Sequence, residues 1–432
     1  MAVFLLIVSL VLSAIFIVSY FRGQNKFSPD KLFFALWFLA IAISQLRLSP
    51  NEQPWSLKFW LLLIIFFLLF GLIFKFFFKK FHQKLPLILP DFKENFSRYF
   101  VIFLGFLTLA AVAVNAYILW KFGTLPILSS RPDSFRFVIN RKVFGLWEYI
   151  ALLPRLVIPF SFYYLMAQKT RGWVKWLLIA NIIVGLVILS AYVSRLVLIF
   201  PILLCYFSYL MFNLKSFNFK KFLGASLVAV ALVLILSTTI PAFRQSISYH
   251  DYVDPNAQSD PFAYIVALSG LHFPPALNFL APLYIIPTFN LQALMRAVDF
   301  YHLNNFYWGK YSLTALAPFF KLTNLTDWLV KIPFTDIFLS WWVTATYLFS
   351  WWADFGYFGL ALAALFLGLI LALAYAWAIK KPQFLSIMIF AYLSFAVIMT
   401  IYTNYFQRSE VYLDLVLIFI AALILRKKKT AN

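Results

Sequence analysis

The sequence predicts an all-α, polytopic integral membrane protein with about 11 transmembrane helices, in a range of 11 to 13. Hydrophobic residues occupy 64% of the 432 positions and charged residues only 12%, which excludes an ordinary water-soluble globular protein. About ten apolar runs reach 17 residues or more, a length that crosses about 30 Å of hydrocarbon as a helix. A bilayer core cannot hydrogen-bond exposed amides, and the sequence lacks the alternation of barrel strands, so these runs are expected to be helices.

The chain is expected to form a single membrane domain over residues 1–432. The predicted spans are 2–20, 32–48, 57–76, 98–120, 147–167, 174–191, 194–212, 222–240, 356–379, 383–403 and 409–425. No basic residue precedes the first span, whereas Arg22, Lys26 and Lys31 follow it, which reverses the layout of a signal peptide. We therefore expect a retained first helix, an N-terminus outside the cytoplasm and, after eleven spans, a cytoplasmic C-terminus.

The distribution of basic residues agrees with this orientation. With the N-terminus outside, 21 of the 36 Lys and Arg residues lie in short cytoplasmic segments, as the positive-inside rule predicts. The net charge of +21 is spread over the ends of apolar runs instead of forming one patch, so no nucleic acid is expected as a partner. The single cysteine, Cys205, cannot form an intramolecular disulfide.

Two predicted outer loops interrupt the regular pattern. Residues 121–146 form a basic loop with five Lys and Arg residues against one acid, Asp133. Residues 241–354 form a large loop whose apolar part, 262–295, contains four prolines, which favour re-entrant or interfacial helices over one continuous span. The apolar stretch 338–352 carries paired tryptophans typical of a membrane interface, and 13 spans would result if both stretches crossed.

Several arginines lie on the outer side, where the positive-inside tendency disfavours them. They are Arg131, Arg136 and Arg141 in the basic loop, Arg155 two turns into the next span, Arg195 in a tight turn, and Arg244 past a span end. Guanidinium groups bind oxyanions through paired hydrogen bonds, so converging arginines suit a phosphate or diphosphate. The alternatives are contact with anionic lipid headgroups and, for Arg195, snorkelling to the interface. Arg155 is a costly charge inside a span.

The sequence has no nucleotide-binding loop, nucleophile elbow or His/Cys metal pattern, so neither a metal nor a cofactor is expected. Proton transfer would then depend on His, Asp or Glu. His250 beside Asp251 suits a proton-transfer pair, although a solvated loop explains both residues more simply. Asp354 precedes about 24 apolar residues and is either a helix N-cap or a catalytic carboxylate.

Short motifs in a fixed order over about residues 120–380 carry a resemblance to a known family. They are the segment 122–131, Ser194-Arg195, Phe243-Arg244, and Thr346-Tyr347-Leu348 followed by Asp354-Phe355-Gly356 and Gly359. With them the chain resembles the O-antigen polymerase (Wzy) family, whose signature is a Tyr followed by DFG and a further Gly. The Arg-x10-Gly pattern of some members is missing, since Trp147 and Leu152 stand where Arg136 and Arg141 would require glycine.

The resemblance implies a metal-independent glycosyltransferase of the bacterial inner (cytoplasmic) membrane. Such an enzyme joins undecaprenyl-diphosphate-linked oligosaccharide repeat units at the periplasmic face in O-antigen, capsule or exopolysaccharide synthesis. The loops 121–146 and 241–354 would then be periplasmic. The expected partners are the lipid-linked oligosaccharide, membrane lipids and a chain-length regulator protein.

The same resemblance implies roles for the outer residues. Arginines would offset the charge that develops on the diphosphate leaving group; Arg195 and Arg244 come first, then Arg141, Arg155, Arg136 and Arg131. A general base would take the proton of the acceptor hydroxyl, and the candidates are Asp354, His272, His302, Asp299 and His250.

Two other functions fit this pattern. An O-antigen ligase would transfer a finished glycan to the lipid A core on the same scaffold. A flippase or transporter of lipid-linked oligosaccharide would place charges along a central path and show two related halves, whereas this chain concentrates its unexpected charges at the outer face.

Overall fold

The computed structural model describes residues 2–23, 25–88, 98–129, 146–168, 170–214, 218–248, 262–300, 308–309 and 344–425. These parts of the chain are all-helical, with 83% helix and no strand. Their α-helices are α1 (Ala2–Arg22), α2 (Pro29–Ser44), α3 (Leu57–Ile88), α4 (Arg98–Phe122), α5 (Leu146–Ala151), α6 (Pro154–Ala167), α7 (Trp173–Ser190), α8 (Arg195–Phe212), α9 (Phe219–Ser248), α10 (Ala263–Ser269), α11 (Ala281–Phe300), α12 (Tyr347–Lys380), α13 (Phe384–Met399) and α14 (Ser409–Leu425). Short 3-10 helices cover Pro126–Leu128, Pro275–Leu280 and Tyr405–Gln407.

A helix lies at each of the predicted spans, and the fifth span is divided into α5 and α6. Eight segments of the described chain are long and apolar enough to cross a membrane, as expected of a polytopic membrane protein. The helices α2, α13 and α14 are shorter, with 16, 16 and 17 residues. Only 17% of α1 and 11% of α9 is buried over their apolar windows, so these helices present the largest apolar faces for lipid to cover.

The centre of the bundle is α13, in which 14 of 16 side chains are buried. Apolar or small residues occupy all sides of this helix, which suits a helix surrounded by others. A capping box between Gln383 and Ser386 satisfies the amides at its start. Beside it, α12 packs along α3, and Gly368 allows the close approach: a Cβ there would lie 2.7 Å from Ile73 Cγ2.

The helices alternate in direction, so their turns gather at two ends of the bundle. The upper end contains residues 45–56, 191–194 and 400–408, and Trp37 Nε1 donates to Thr400 Oγ1 there at 2.9 Å. The lower end contains residues 25–28, 381–383 and the start of α9, and the Tyr375 hydroxyl donates to Lys26 O at 2.5 Å. Phe27 contacts Phe222 at the same end. Where the structure describes them, the basic residues predicted to be cytoplasmic belong to the lower end.

The helices that flank the predicted loop 241–354 extend into it. Helix α9 continues through Pro241 to Ser248, and α12 begins at Tyr347. The proline-rich stretch between them forms α10, a 3-10 helix and α11. Both halves of α11 contact the upper end: Leu48 N donates to the Tyr284 hydroxyl at 2.8 Å, and Lys58 Nζ donates to Val298 O. These contacts are those of a helix that lies along the upper end.

Candidate functional site

A cavity of about 590 Å³ lies among the helices at the upper end. Its volume is within the range of about 300–1,000 Å³ that is typical of small-molecule sites. Apolar residues of α2, α8, α9, α11 and α13 form much of the wall. In the described part of the chain, the charged residues that line the cavity are Glu148, Arg155, Arg195, Arg408 and Glu410. Three guanidinium groups and two carboxylates therefore share one cavity in an otherwise apolar bundle.

Arg155 is held in the cavity wall by a buried ion pair. Its Nη2 lies 2.9 Å from Asp414 Oδ1, and Arg155 and Asp414 are only 7% and 0% exposed. The Tyr149 hydroxyl donates to the same oxygen at 3.1 Å, and the Tyr392 hydroxyl donates to Asp414 Oδ2 at 2.9 Å. Among the described residues, Arg155 Nε has no hydrogen-bond partner although it is buried. The guanidinium is thus fixed at one side and keeps an unused donor.

A break in the helix places Arg155. Pro154 begins α6 and lacks an amide proton, so the chain turns at residues 152–153 and Arg155 N donates to Leu152 O at 3.0 Å. The carbonyl of Ala151 is released from the helical pattern and accepts a hydrogen bond from Asn115 Nδ2 at 3.1 Å. The polar group freed by the break is therefore satisfied by α4 inside the bundle.

Arg195 enters the cavity from the tight turn between α7 and α8. It is the first residue of α8, after the N-cap position Ser194. Val193 has a φ of 48°, in the left-handed region that a β-branched residue rarely adopts. Within the described chain, Arg195 has no carboxylate at ion-pair distance. A strained turn therefore presents an arginine whose charge no described carboxylate offsets.

Arg408 lies in the upper turn between α13 and α14, and Glu410 lies in the first turn of α14. The Arg408 guanidinium lies 5.9 Å from the ring centroid of Tyr405, which is buried. Burial raises the pKa of the Tyr405 hydroxyl above its usual range, so this hydroxyl keeps its proton. Asn404 Nδ2 donates to Ser350 Oγ at 2.7 Å and attaches the turn to α12.

Glu148 lies on α5, on the same side of the cavity as Arg155. Its charge interacts with those of Glu410, Arg155 and Arg408. Tyr192, which also lines the cavity, donates its hydroxyl proton to Asn115 Oδ1 at 2.9 Å. Burial, and to a smaller extent the charge of Glu148, raises the pKa of Tyr192. The cavity thus places a carboxylate among guanidinium groups and protonated tyrosines.

The DFG motif forms a kink in α12. Gly356 has a φ of 57° and a ψ of −132°, which only glycine adopts without strain. A Cβ on Gly359 would lie 1.9 Å from Trp351 O, so glycine is required there too. Asp354 is fully buried at the kink, its carbonyl accepts from Trp308 N at 2.9 Å, and it is not part of the cavity lining. Because α12 begins at Tyr347, Asp354 is not at the N-cap of the whole helix.

The other predicted site residues do not line the cavity or are not described. His272 is exposed in the segment after α10, and Asp299 is exposed near the end of α11, where its Oδ1 accepts from Ser56 Oγ at 2.9 Å. The backbone of Arg244 lies in the last part of α9. Outside the described residues lie Arg131, Arg136, Arg141, His250 and His302. Of the predicted residues, the structure brings Arg155 and Arg195 together in one cavity.

Sequence reasoning did not single out Glu148, Arg408, Glu410 or Asp414. Asp414 could have been predicted, because a carboxylate inside an apolar span needs a partner of opposite charge and Arg155 is likewise a charged residue inside an apolar span. The remaining three residues lie within about one turn of a span end, where charged residues are common. Their position in one cavity is visible only from the fold, in which Tyr149 of α5 contacts Asp414 of α14.

The chain matches no protein-family model, and comparisons with curated proteins and with solved structures found no match. In the residues that the structure describes, no group of three or more His, Cys, Asp and Glu side chains is placed to hold a metal ion. Functional interpretation therefore depends on the cavity and on the motifs of the sequence.

Proposed function

We propose that the protein is a glycosyltransferase that joins undecaprenyl-diphosphate-linked oligosaccharide repeat units, as the resemblance to O-antigen polymerases implies. The observation that carries the proposal is the convergence of Arg155, Arg195 and Arg408 on one cavity. A diphosphate offers several oxyanions at once, and guanidinium groups bind them by charge and by paired hydrogen bonds. Arginines that are already in place can stabilise the charge which grows on the leaving diphosphate.

The shape of the cavity supports a lipid-linked substrate. Apolar residues from α2, α9 and α11 line it, including Leu39, Val233 and Ile286, and the charged residues of the lining come from other elements of the bundle. A polyprenyl chain and a diphosphate need these two environments side by side. We place the substrate with its diphosphate against the arginines and its polyprenyl chain along the apolar wall.

Orientation completes the proposal. The lower end carries the basic residues that the positive-inside rule assigns to the cytoplasm, so the upper end would face the periplasm. The N-terminus would then be periplasmic, the C-terminus cytoplasmic, and the chain would cross the bacterial inner membrane eleven times. The cavity would open where lipid-linked repeat units are polymerised.

Replacement of Arg195 by lysine tests this function. Arg195→Lys keeps the charge but loses the planar fork, so we expect elongation of lipid-linked repeat units by the purified protein to fall at least about 100-fold, as when one preorganised donor to a developing oxyanion is removed. Arg47→Lys, at the same end but outside the cavity lining, is the matched control and should remain near wild type. Near-normal product length with Arg195→Lys would contradict the proposal.

The assay also separates the two alternatives. A ligase would consume a finished glycan with lipid A core as acceptor and would not lengthen a repeat unit. A transporter would move the lipid-linked oligosaccharide across vesicles without changing its length. The charged residues that line the cavity lie towards the upper end of the bundle instead of along a central path, which favours chemistry at that end over transport.

A further inference from the structure

The cavity contains carboxylates that the diphosphate site does not need. Glu148 and Glu410 both line it, one on α5 and the other in the first turn of α14. A carboxylate beside a site for a diphosphate repels the ligand, so its presence calls for another role. Arg155 also lines the cavity, is 7% exposed, and has an Nε for which the described residues supply no hydrogen-bond partner, so the wall contains a polar group that the described fold does not fully satisfy.

A glycosyl transfer needs a group that accepts the proton of the attacking hydroxyl. Tyr192, Tyr402 and Tyr405 line the cavity, but a phenol is a poor proton acceptor near neutral pH, and burial raises the pKa of Tyr192 and Tyr405 further. The lining includes neither Asp354 at the kink of α12 nor the exposed residues His272 and Asp299. In the described part of the chain, the lining groups able to accept a proton are therefore Glu148 and Glu410.

Glu148 is the better placed of the two. It lines the cavity together with Arg155 and Arg408, and the ring centroid of its chain neighbour Tyr149 lies 5.2 Å from the Arg155 guanidinium, one of the groups that would bind the leaving group. Its neighbour Tyr149 donates to Asp414 at 3.1 Å, which fixes α5 against α14. A proton acceptor close to the diphosphate site and held by a rigid element can reach the hydroxyl that attacks the anomeric carbon.

We propose that Glu148 is the general base of the transfer reaction, an inference that rests on the proposed function. The acceptor hydroxyl oxygen forms a bond to the anomeric carbon of the donor glycan. The bond between that carbon and the diphosphate oxygen breaks, and the diphosphate leaves with the electron pair. The proton of the hydroxyl passes to a carboxylate oxygen of Glu148 and is later released to water. Arg155, Arg195 and Arg408 offset the charge on the diphosphate.

The test compares Glu148→Gln and Glu148→Asp, with Glu410→Gln as the matched control from the same cavity. Each full-length variant is purified in detergent and given undecaprenyl diphosphate in a binding assay and lipid-linked repeat units in an elongation assay. Glu148→Gln should lose about 100-fold to 10,000-fold in elongation rate, the usual contribution of a general base, and should bind undecaprenyl diphosphate at least as tightly as wild type does, because a repelling charge is removed. Glu410→Gln should lose far less rate.

The pH profile separates a base from a residue that merely supports the fold. In wild type the elongation rate should fall on the acid side as Glu148 takes a proton. The charged and titratable groups that line the cavity with it are Arg155, Arg195, Arg408, Glu410, Tyr192, Tyr402 and Tyr405. Glu148→Asp should keep this acid limb at a lower rate, whereas Glu148→Gln should lose it.

The outcomes are distinguishable. Elongation by Glu148→Gln within about tenfold of wild type, an acid limb that persists in that variant, or loss of undecaprenyl diphosphate binding would each overturn the assignment of Glu148. If the wild-type protein neither binds undecaprenyl diphosphate nor elongates repeat units, the proposed function itself fails. If the wild-type protein elongates repeat units and the Arg195→Lys variant does not, the proposed function is supported. The Glu148 variants then test the role of Glu148 separately from that function.

Discussion

Asp414 is the counter-ion of Arg155 inside the bundle, and replacing it by leucine has a calculable effect. Asp414 is fully buried and accepts three hydrogen bonds, from Arg155 Nη2 at 2.9 Å, Tyr149 at 3.1 Å and Tyr392 at 2.9 Å. Asp414→Leu leaves the buried guanidinium without its counter-charge. Removing one partner of a buried ion pair costs about 3–5 kcal/mol, so we expect the free energy of unfolding to fall by that amount.

The reverse and double substitutions complete a cycle. Arg155→Met leaves Asp414 unpaired, and the double variant Arg155→Met/Asp414→Leu removes both charges. The decreases in the free energy of unfolding of the two single variants should add up to about 1–3 kcal/mol more than the decrease in the double variant. This difference is the coupling energy usual for residues in one network. Unfolding in mixed micelles with increasing dodecyl sulfate, followed by tryptophan fluorescence, measures each free energy.

The activity of the double variant separates stability from function. The double variant should regain stability relative to Asp414→Leu but should not elongate lipid-linked repeat units, because it lacks a guanidinium at this point of the cavity. If Asp414→Leu unfolds within about 1 kcal/mol of wild type, the energetic reasoning about the buried pair is wrong. If the double variant elongates as wild type does, Arg155 is structural and is not part of a diphosphate site.

Two further predictions concern the kink of α12 and the upper end. Gly356→Ala should lower the free energy of unfolding by about 1–3 kcal/mol because Gly356 has a positive φ, and Gly359→Ala should lower it more because a Cβ would lie 1.9 Å from Trp351 O. Gly105→Ala is the control, since the space around its Cβ is open. Thermal unfolding in detergent measures all three variants. Burial raises the pKa of Glu52, so the stability from this group is present below the pKa of the unfolded chain and is lost as pH rises through the folded pKa. At pH values above the folded pKa of Glu52, the Glu52→Gln variant should therefore be more stable than wild type, and its unfolding midpoint should depend less on pH. If the midpoint changes with pH equally in the two proteins, Glu52 does not titrate as described.

The positions of the helices follow from hydropathy because each span must satisfy its own backbone inside a bilayer. The break between α5 and α6 was less visible, although Pro154 marks it, since an apolar run with one proline is still compatible with a single span. For the segment that forms α11, the sequence predicted a helix but not its position. Prolines favoured helices other than a simple span, but the contacts of Tyr284 and Lys58 with distant segments decide where this helix lies.

The sequence predicted two arginines of the site but not its carboxylates. Arg155 and Arg195 stand out in the sequence because a charge in or beside an apolar span is costly. The partner of Arg155 lies 259 residues further along the chain, and no local pattern connects the two. Glu148 and Glu410 look like ordinary residues at helix ends until the fold brings them to one cavity. The DFG motif pointed to Asp354 as a catalytic candidate, whereas its glycines account for the kink of α12.

The most direct test of the account is the structure of the protein in a lipid nanodisc with undecaprenyl diphosphate. The account predicts density for the diphosphate in the upper cavity, within hydrogen-bond distance of Arg195 and Arg408 and beside Arg155, with the polyprenyl chain along apolar residues of α2 and α9. Density for the diphosphate among the lysines of the lower end, with an empty upper cavity, would contradict it.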